Sequence, residues 1–220
     1  MQRANFLKAK LTGANFAGAD LRNADFTDAE LDGAIYDDAT QVSAGINLDK
    51  LGFIYRPKAL DDVEYPVAVR TQPLDFSNRH LPYLEAIRVR IPGVQFSNCT
   101  TKNPRLAMSE LPNAVFENAQ ISGTSFLASN VHGSNFNNVD GHHLLFMDAN
   151  ISRSSFRGAD LFRSSFVAVN AQHADFCGAN LRQIEANNGD FTGATYDSAT
   201  QFCDRLDPVA AGMIYVDTTD

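Results

Sequence analysis

The sequence contains no tryptophan and only three cysteines among its 220 residues. Cys99, Cys177 and Cys203 lack the spacing of a metal or disulfide motif, and their odd number fits a reducing compartment. The chain has no run of eighteen apolar residues, and no basic start followed by an apolar stretch. We therefore expect neither a transmembrane helix nor a signal peptide, and predict either a cytoplasmic protein or a chain trimmed to its folded part.

Positive charge is also scarce. The chain has 18 Lys and Arg residues and 26 Asp and Glu residues, which gives a net charge of −8. This balance argues against direct binding to nucleic acid, which needs cationic side chains on the phosphates. It leaves open an acidic surface for a basic partner. No glycine-rich phosphate-binding loop is present either.

A repeat of five residues runs through most of the chain. From Ala114 to Cys203 the sequence divides into eighteen consecutive units without an insertion, beginning AVFEN, AQISG, TSFLA. The same phase begins at Ala4 with ANFLK, AKLTG, ANFAG. The middle residue of most units is Phe, Leu or another apolar residue, and the residue two places before it is usually Ala or Ser.

A period of five fits neither a helix of 3.6 residues per turn nor a flat strand of period 2. It is typical of a chain that turns every five residues, with one large and one small side chain of each unit pointing inward. Four such units make a square coil, and stacked coils make a solenoid.

Irregular units support this inward assignment. The large position shrinks to Gly141, Ala171 and Ala186 in three units whose small position grows to Val139, Val169 and Ile184. Close packing of two core positions requires such paired changes of volume. The unit LLFMD is an exception, because Leu144 and Phe146 are both large, and we expect the neighbouring Gly141 to leave room.

These units resemble the pentapeptide-repeat family, written A(D/N)LXX, over residues 4–43 and roughly 74–203. The resemblance implies an all-β fold, a right-handed quadrilateral parallel β-helix with about twenty residues per coil. Separately, the sequence suggests no nucleophile–base pair, and we predict a non-enzymatic protein. Some members of the family, the quinolone-resistance proteins, resemble B-DNA in size and charge and bind DNA gyrase.

A period of twenty is visible in the sequence itself. Every twentieth residue from Phe76 is aromatic, and we predict a continuous core ladder of Phe76, Phe96, Phe116, Phe136, Phe156, Phe176 and Tyr196.

One phrase occurs twice, 160 residues apart. It reads AIYDDATQ at residues 34–41 and ATYDSATQ at residues 194–201, and each copy is followed by a stretch ending in Ile-Tyr. We interpret it as the last coil of a solenoid and its cap, which must cover an open core and an unpaired strand edge. Asp207, Pro208 and Gly212 predict a short helix in the second cap, and Asn47 and Gly52 have the same roles in the first.

We predict two tandem modules with short helical C-terminal caps. The divisions are residues 1–56, a short repeat module with its cap; 57–73, a linker or docking segment; 74–203, the main β-helix; and 204–220, the C-terminal cap and tail. Residues 81–90 fit either a coil or a capping helix.

The sequence predicts no catalytic, cofactor-binding or metal-binding residues. No two of His132, His142, His143 and His173 are twenty residues apart, the spacing that would stack them, so we expect surface histidines. The acidic residues just before the inward positions are predicted to form turn hydrogen bonds.

One outward column is apolar. At twenty-residue spacing it reads Ile87, Ala107, Leu127, Met147, Val167 and Asn187. A contiguous apolar patch usually marks a contact surface, although single exposed apolar residues are normal. The candidate interaction face consists of Leu127, Leu145, Met147, Phe162 and Val167.

We therefore predict a protein–protein interaction scaffold or a self-associating module, with an unidentified protein partner or a second copy of the chain. The alternative is a DNA-mimic modulator of DNA gyrase or another DNA-binding protein. Residues 114–203 carry eight acidic and four basic residues, which is a weak and interrupted acidity for a DNA mimic.

Overall fold

The computed structural model describes residues 4–37, 39–44, 46, 48, 51–55, 73–81, 84, 86–101 and 104–217. The chain forms two compact units, residues 1–64 with 81–83, and residues 65–80 with 84–220. The predicted linker of residues 57–73 lies outside the described residues except for its last residue, so the predicted domain boundaries stay a prediction. Within the described part of the chain, no helix is long and apolar enough to cross a membrane.

The larger unit is a parallel β-helix with twenty residues per coil. Single bridges join residues twenty apart from Asp75↔Gln95 to Asp175↔Thr195, and all are parallel. A typical link has Phe116 donating its N–H to the carbonyl of Asn135 at 2.7 Å, while Asn135 donates back to Ala114 at 2.9 Å. The predicted right-handed quadrilateral β-helix is confirmed.

Regular strands in the described residues are only two residues long, because the chain turns at every unit. They are β1 (Ile35–Tyr36), β2 (Ile54–Tyr55), β3 (His80–Leu81), β4 (Thr100–Thr101), β5 (Asn180–Leu181), β6 (Thr195–Tyr196), β7 (Gln201–Phe202) and β8 (Ile214–Tyr215).

Each regular corner in the described residues is a tight turn of four residues whose third residue has a positive φ. Asn118 has a φ of 56°, and the turn closes with the N–H of Ala119 donating to the carbonyl of Phe116 at 3.0 Å. A positive φ at this position is the mark of a type II turn, and asparagine and glycine tolerate it best. This requirement explains why Asn and Gly recur at the last position of the units.

The aromatic residues form two stacks that meet at right angles. In the first, the ring centroids of Phe116 and Phe136 lie 4.7 Å apart and those of Phe136 and Phe156 lie 4.8 Å apart, with the rings nearly parallel. In the second, the rings of Phe126 and Phe146 stack at 5.0 Å. Between the stacks, edge-to-face contacts such as the 5.6 Å pair of Phe126 and Phe136 use the favourable T-shaped geometry.

The predicted ladder residues occupy one side of this core. Phe76, Phe96, Phe116, Phe136, Phe156 and Phe176 are all buried and follow one another as stacked rings at 4.7–5.2 Å. Tyr196, in the last coil, is only partly buried and makes edge-to-face contacts with Phe202 and Tyr215.

Buried serines occupy several of the small inward positions and link successive coils. The hydroxyl of Ser129 accepts the N–H of Ser109 at 3.1 Å and donates to the carbonyl of Leu106 at 2.8 Å. Ser134 and Ser154 make the same pair of bonds one corner away. Each hydroxyl is therefore satisfied as donor and acceptor inside an apolar core, which removes the cost of its burial.

Gly141 gives the physical reason for the volume swap seen in the sequence. A Cβ atom on this residue would lie 2.7 Å from both the Leu144 Cδ1 and the Val139 Cγ1 atoms. The missing side chain is thus replaced by its two large neighbours, and this also explains why LLFMD accommodates both Leu144 and Phe146.

The sequence had suggested that the five-residue phase extends to Cys203, but in the structure the phase ends before that residue. β5 pairs with β7 so that Asn180 lies opposite Gln201 and Leu181 opposite Phe202, a shift of one residue from the spacing of twenty. β6 then pairs with β8 at a spacing of nineteen, Thr195 opposite Ile214. The extra residue lies in the recurring phrase.

A buried carboxylate holds this enlarged turn. The Asp197 Oδ1 atom accepts the N–H groups of Gly178, Ala199 and Thr200 at 2.9–3.1 Å. The Thr200 hydroxyl donates to the carbonyl of Phe176 at 3.0 Å. In regular coils the N–H at the position of Gly178 bonds to a backbone carbonyl of the next coil, as Gly158 does to Cys177. The carboxylate therefore replaces a missing backbone acceptor at the end of the solenoid.

The smaller unit repeats this construction. Bridges such as Lys10↔Glu30 and Asn15↔Ile35 join its coils, and β1 pairs in parallel with β2. Asp37 occupies the position of Asp197, and its Oδ1 atom accepts the N–H of Gly18 at 2.7 Å and the Thr40 hydroxyl at 2.9 Å.

The predicted helical cap is corrected to a single turn. Ala211 donates its N–H to the carbonyl of Asp207 at 2.9 Å, which is one helix-type bond, and the chain re-enters β8 after Gly212. The Asp207 carboxylate accepts the N–H groups of Val209 and Ala210, as an N-cap does. Gly212 stops the turn with a φ of 75°. The four residues between Asp207 and Gly212 leave no room for a second turn. Asn47, predicted for the first cap, lies outside the described residues.

Residues 84 and 86–90 follow the coil. Ala86 donates its N–H to the carbonyl of Arg105 at 2.8 Å, and Arg90 forms a bridge with Glu110. The buried side chains of Leu84 and Val89 fill the enlarged small positions.

Candidate interaction surface

Three residues of the predicted face occupy equivalent turn positions in successive coils of the larger unit. The N–H of Ala128 donates to the carbonyl of Met147 at 2.9 Å, and the N–H of Asp148 donates to that of Val167 at 3.0 Å. These bonds place Leu127, Met147 and Val167 one above the other, at the strand spacing of about 4.8 Å.

Leu145 belongs to the adjoining ladder, where it lies between Ser125 and Ser165. Its side chain is 44% exposed, and those of Leu127 and Met147 are 36% and 40% exposed. Val167 is half-buried. We call Leu127, Leu145, Met147 and Val167 the apolar stripe.

Met108 lies beside this surface, although it is not among the residues predicted for it. Met108 follows the stripe position of the preceding coil, Ala107, and is 45% exposed. It holds a φ of 55°, a conformation that an unbranched side chain adopts only at a cost. Met108 occupies the last position of its five-residue unit, where Asn or Gly is usual. This unusual residue was the signal in the sequence that could have placed Met108 at the surface.

Ser165 lies in the same ladder, between Leu145 and Glu185. Its hydroxyl oxygen is buried and has no hydrogen-bond partner among the residues that the structure describes. An unpaired buried hydroxyl is costly to the fold.

Phe162 lies at a different corner of the coil from the apolar stripe. Its ring contacts His142 edge-on at a centroid distance of 5.9 Å. The guanidinium carbons of Arg163 and Arg182 lie 5.0 Å and 5.9 Å from the ring centroid. We call these four residues the arginine–phenylalanine cluster, and cation–π attraction contributes to its arrangement.

Three histidines make side-chain hydrogen bonds between coils. The Nδ1 atom of His132 lies 3.0 Å from the Ser152 hydroxyl, and the Nδ1 atom of His80 lies 2.7 Å from the Thr100 hydroxyl. The His142 Nε2 atom lies 2.7 Å from a carboxylate oxygen of Asp160. Within the described residues, no three His, Cys, Asp or Glu side chains converge in a way that could hold a metal ion.

Two of the three thiols are buried in the fold. Burial raises the pKa of the Cys99 thiol to about 12. Burial, together with the neighbouring Asp175 carboxylate, raises the pKa of Cys177 to about 11. Both thiols are therefore protonated near neutral pH, and a protonated thiol is a poor nucleophile.

The carboxylates before the inward positions take part in turns and ion pairs. Burial alone would raise the pKa of Asp175, but hydrogen bonds from Cys177 and Arg157 hold it below the ordinary value. The Arg157 guanidinium lies 2.7 Å from this carboxylate. Hydrogen bonds from Thr192 likewise lower the pKa of Asp190.

A small pocket lies beside the end of the solenoid. It has a volume of about 190 Å³ and is lined by Ile184, Glu185, Ala186, Asn187, Cys203, Arg205 and Leu206. Ligand pockets usually span roughly 300–1,000 Å³, so this one is small for a substrate or cofactor.

The comparisons with known proteins agree with this coil geometry. The family of pentapeptide repeats matches residues 1–35 and 145–183, with eight copies of the repeat. Both segments consist of pentapeptide repeats. A search of the curated proteins found no match.

Solved structures of other pentapeptide-repeat proteins are similar at low identity. A protein of the Arabidopsis thaliana thylakoid lumen is 18% identical, with a TM-score of 0.29, over 51% of this chain and 66% of that chain. The plasmid-mediated fluoroquinolone resistance protein QnrB1 is 14% identical, with a TM-score of 0.33, over 98% and 90% of the two chains. HetL of Nostoc, a protein involved in the regulation of heterocyst differentiation, is 15% identical, with a TM-score of 0.24, over 88% and 90%.

At these identities the functions of the similar proteins do not carry over to this chain. What this chain has in its own right is a repeat scaffold with an apolar stripe on one side.

Proposed function

We propose that this pentapeptide-repeat protein is a non-enzymatic scaffold that binds another protein chain through its apolar stripe. The observation that carries the proposal is the alignment of Leu127, Met147 and Val167 at successive turns, with Leu145 beside them. Four apolar side chains on one rigid surface are a more specific feature than the same number scattered over a protein.

The packing of the larger unit supports a role in binding. Every coil is bonded to the next through its backbone, and its stacked rings leave the core closely filled. A surface built on such coils loses little conformational entropy when a partner binds, which leaves more of the contact energy for affinity.

The DNA-mimic alternative needs a nearly continuous row of free acidic side chains. Two of the acids in the main solenoid are instead paired, Asp160 with His142 and Asp175 with Arg157. The exposed Arg163 and Arg182 interrupt the negative surface further. The protein-binding scaffold is therefore the function that we propose.

The proposal is tested with the double variant M147E/V167E, which places two charges on the stripe without touching the core. Its matched control is S122E/S152E, which places two charges at turn positions of the other corners. Wild-type and variant chains are compared by light scattering, for self-association, and by affinity capture followed by binding measurements with the purified captured protein.

We expect binding, whether to a second copy or to another protein, to persist in the control and to fall at least about tenfold in M147E/V167E. Equal binding by M147E/V167E, the control and wild type would contradict the role of the stripe.

A further inference from the structure

The arginine–phenylalanine cluster is an exposed cationic site in a chain of net charge −8. Arg163 follows Phe162 in the chain, and Arg182 occupies the position equivalent to Phe162 in the next coil. Both guanidinium groups lie within 6 Å of the Phe162 ring, so the ring holds them in place.

Each arginine is oriented by a neutral hydrogen bond from its Nε atom. Arg163 donates from Nε to the Gln183 side-chain oxygen at 2.8 Å, and Arg182 donates from Nε to the Asn180 side-chain oxygen at 3.0 Å. Neither guanidinium forms an ion pair with the residues that the structure describes. By contrast, Arg22 and Arg157 each bind an aspartate at 2.6–2.7 Å.

The carboxylate next to the cluster does not neutralise it. One oxygen of Asp160 accepts the Asn180 amide at 2.7 Å and the N–H of Phe162 at 3.3 Å, and the other lies 2.7 Å from the His142 Nε2 atom. The Asp160 carboxylate is thus bonded to Asn180, Phe162 and His142. Neither arginine forms an ion pair with it or with any other carboxylate in the described part of the chain.

We propose that Arg163 and Arg182 bind a side-chain carboxylate of an acidic segment of the partner protein. Guanidinium groups bind carboxylates through two parallel hydrogen bonds, and arginines held by an aromatic ring lose less entropy in doing so. A short acidic segment suits a site of two arginines. A nucleic acid does not, because the chain's net negative charge repels an extended polyanion.

This inference rests on the proposed scaffold function, since it assigns the charge of the partner that the scaffold binds. It is nevertheless testable without that partner. The probe is the peptide acetyl-Glu-Glu-Glu-Glu-amide, and the neutral acetyl-Gln-Gln-Gln-Gln-amide is its control. Binding is followed by NMR, through the Nε–H signals of the arginines and the ring protons of Phe162.

The variants are R163Q/R182Q and R163K/R182K, with R153Q as the matched control. Arg153 occupies the same position of its five-residue unit as Arg163 and has the same φ of 58°. It has no aromatic partner in the described residues. The lysine variant keeps the charge and loses the fork of donors. A neutral stripe variant, M147Q/V167Q, separates this site from the apolar stripe.

We expect saturable shifts of the Arg163, Arg182 and Phe162 signals with the glutamate peptide and none with the glutamine peptide. The dissociation constant should rise at least about tenfold in R163Q/R182Q, and less in the lysine variant. R153Q and M147Q/V167Q should bind like the wild type. If R163Q/R182Q binds the glutamate peptide as tightly as wild type, or if R153Q loses as much, the site is overturned. If M147E/V167E keeps its partner while R163Q/R182Q loses the glutamate peptide, the scaffold proposal and the anion site's link to it are overturned, and the anion site itself stands.

Discussion

The two repeat units have the same coil geometry but bury their aromatic residues to different extents. In the larger unit Phe136, Phe146 and Phe156 are 0% exposed, because each has a coil above and below it. In the smaller unit Phe6 and Phe26 stack at 5.2 Å and yet remain partly exposed. Its described coils are few, so most of its rings belong to an end coil.

An interior coil therefore stabilises a solenoid more than an end coil does. A coil at the end of the stack has the same turns and the same kind of backbone hydrogen bonds as an interior coil. One side of its aromatic rings, however, is not covered by a further coil. Both units end in the same carboxylate cap, so the difference lies in the number of coils and not in how they stop.

Removing a ring from each unit tests this difference most strongly. Phe136→Ala should lower the free energy of unfolding of the larger unit by ~3–5 kcal/mol, the usual cost of deleting a buried ring and leaving a cavity. Phe6→Ala, at a partly exposed position, should cost the smaller unit less than half as much. Urea unfolding followed by NMR signals of each unit gives both values, and equal losses would contradict the comparison.

Removing the carboxylate cap should have the next largest effect, and a similar one in both units. Asp197→Ala removes the carboxylate oxygen that accepts the N–H groups of Gly178, Ala199 and Thr200. We expect a loss of about 1–3 kcal/mol, the cost of unsatisfied buried donors. Asp37→Ala should do the same to the smaller unit. A loss below about 0.5 kcal/mol in the same urea experiment would show that water replaces the carboxylate.

Overpacking an interior coil should matter to a comparable or slightly smaller degree. Gly141→Ala forces a Cβ atom against Leu144 and Val139, and we expect it to cost about 1–3 kcal/mol. The same substitution in a Val139→Ala background should cost less, because the space it needs is then open. A double-mutant cycle measures the difference, and full additivity would contradict the volume swap.

The outer turn beyond the cap should contribute less. Asp207→Ala removes the acceptor of the N–H groups of Val209 and Ala210, and we expect a loss of about 0.5–2 kcal/mol. Asp207→Asn keeps an acceptor oxygen and serves as the control. Thermal unfolding of the two variants distinguishes the lost hydrogen bond from the lost charge.

The smallest effect on stability is expected when the pH is lowered and the Asp37 carboxylate in the cap of the smaller unit becomes protonated. Burial would raise the pKa of Asp37, but hydrogen bonds from Gly18, Thr40 and Ala39 lower it overall. The carboxylate therefore stabilises the folded unit above the unfolded-state pKa of about 4, and this contribution is lost as pH falls through the lower folded value. Thermal unfolding between pH 6 and pH 3 should show a smaller loss in Asp37→Asn than in wild type, and identical pH profiles would contradict the role of Asp37.

Much of the fold could be predicted from the sequence, because every repeated unit must pack the same kinds of inward side chains and form the same turn. Five residues with one large and one small inward side chain have few ways to pack, and Asn or Gly at the last position marks the turn. The stacking of Phe116, Phe136 and Phe156 follows directly from a spacing of twenty. The candidate stripe also follows from this spacing, because it depends on column position alone.

The irregular features of the fold could not be predicted from the periodicity of the sequence. The sequence alone did not reveal that Asp37 and Asp197 replace a backbone acceptor, since an aspartate in a repeat unit is ordinarily an exposed turn residue. It also did not show the one-residue shift between β5 and β7, nor the reduction of the cap to one turn.

The amino-acid sequence by itself thus determined the coil, its core columns and which residues share a side, because these depend on periodicity. Only the tertiary structure decided how the repeats end, how exposed Leu145 and Met147 are, and that Arg163 and Arg182 converge on Phe162. Those outcomes depend on contacts between coils, where the partner of a donor or a charge lies about twenty residues away and is selected by geometry rather than by residue type.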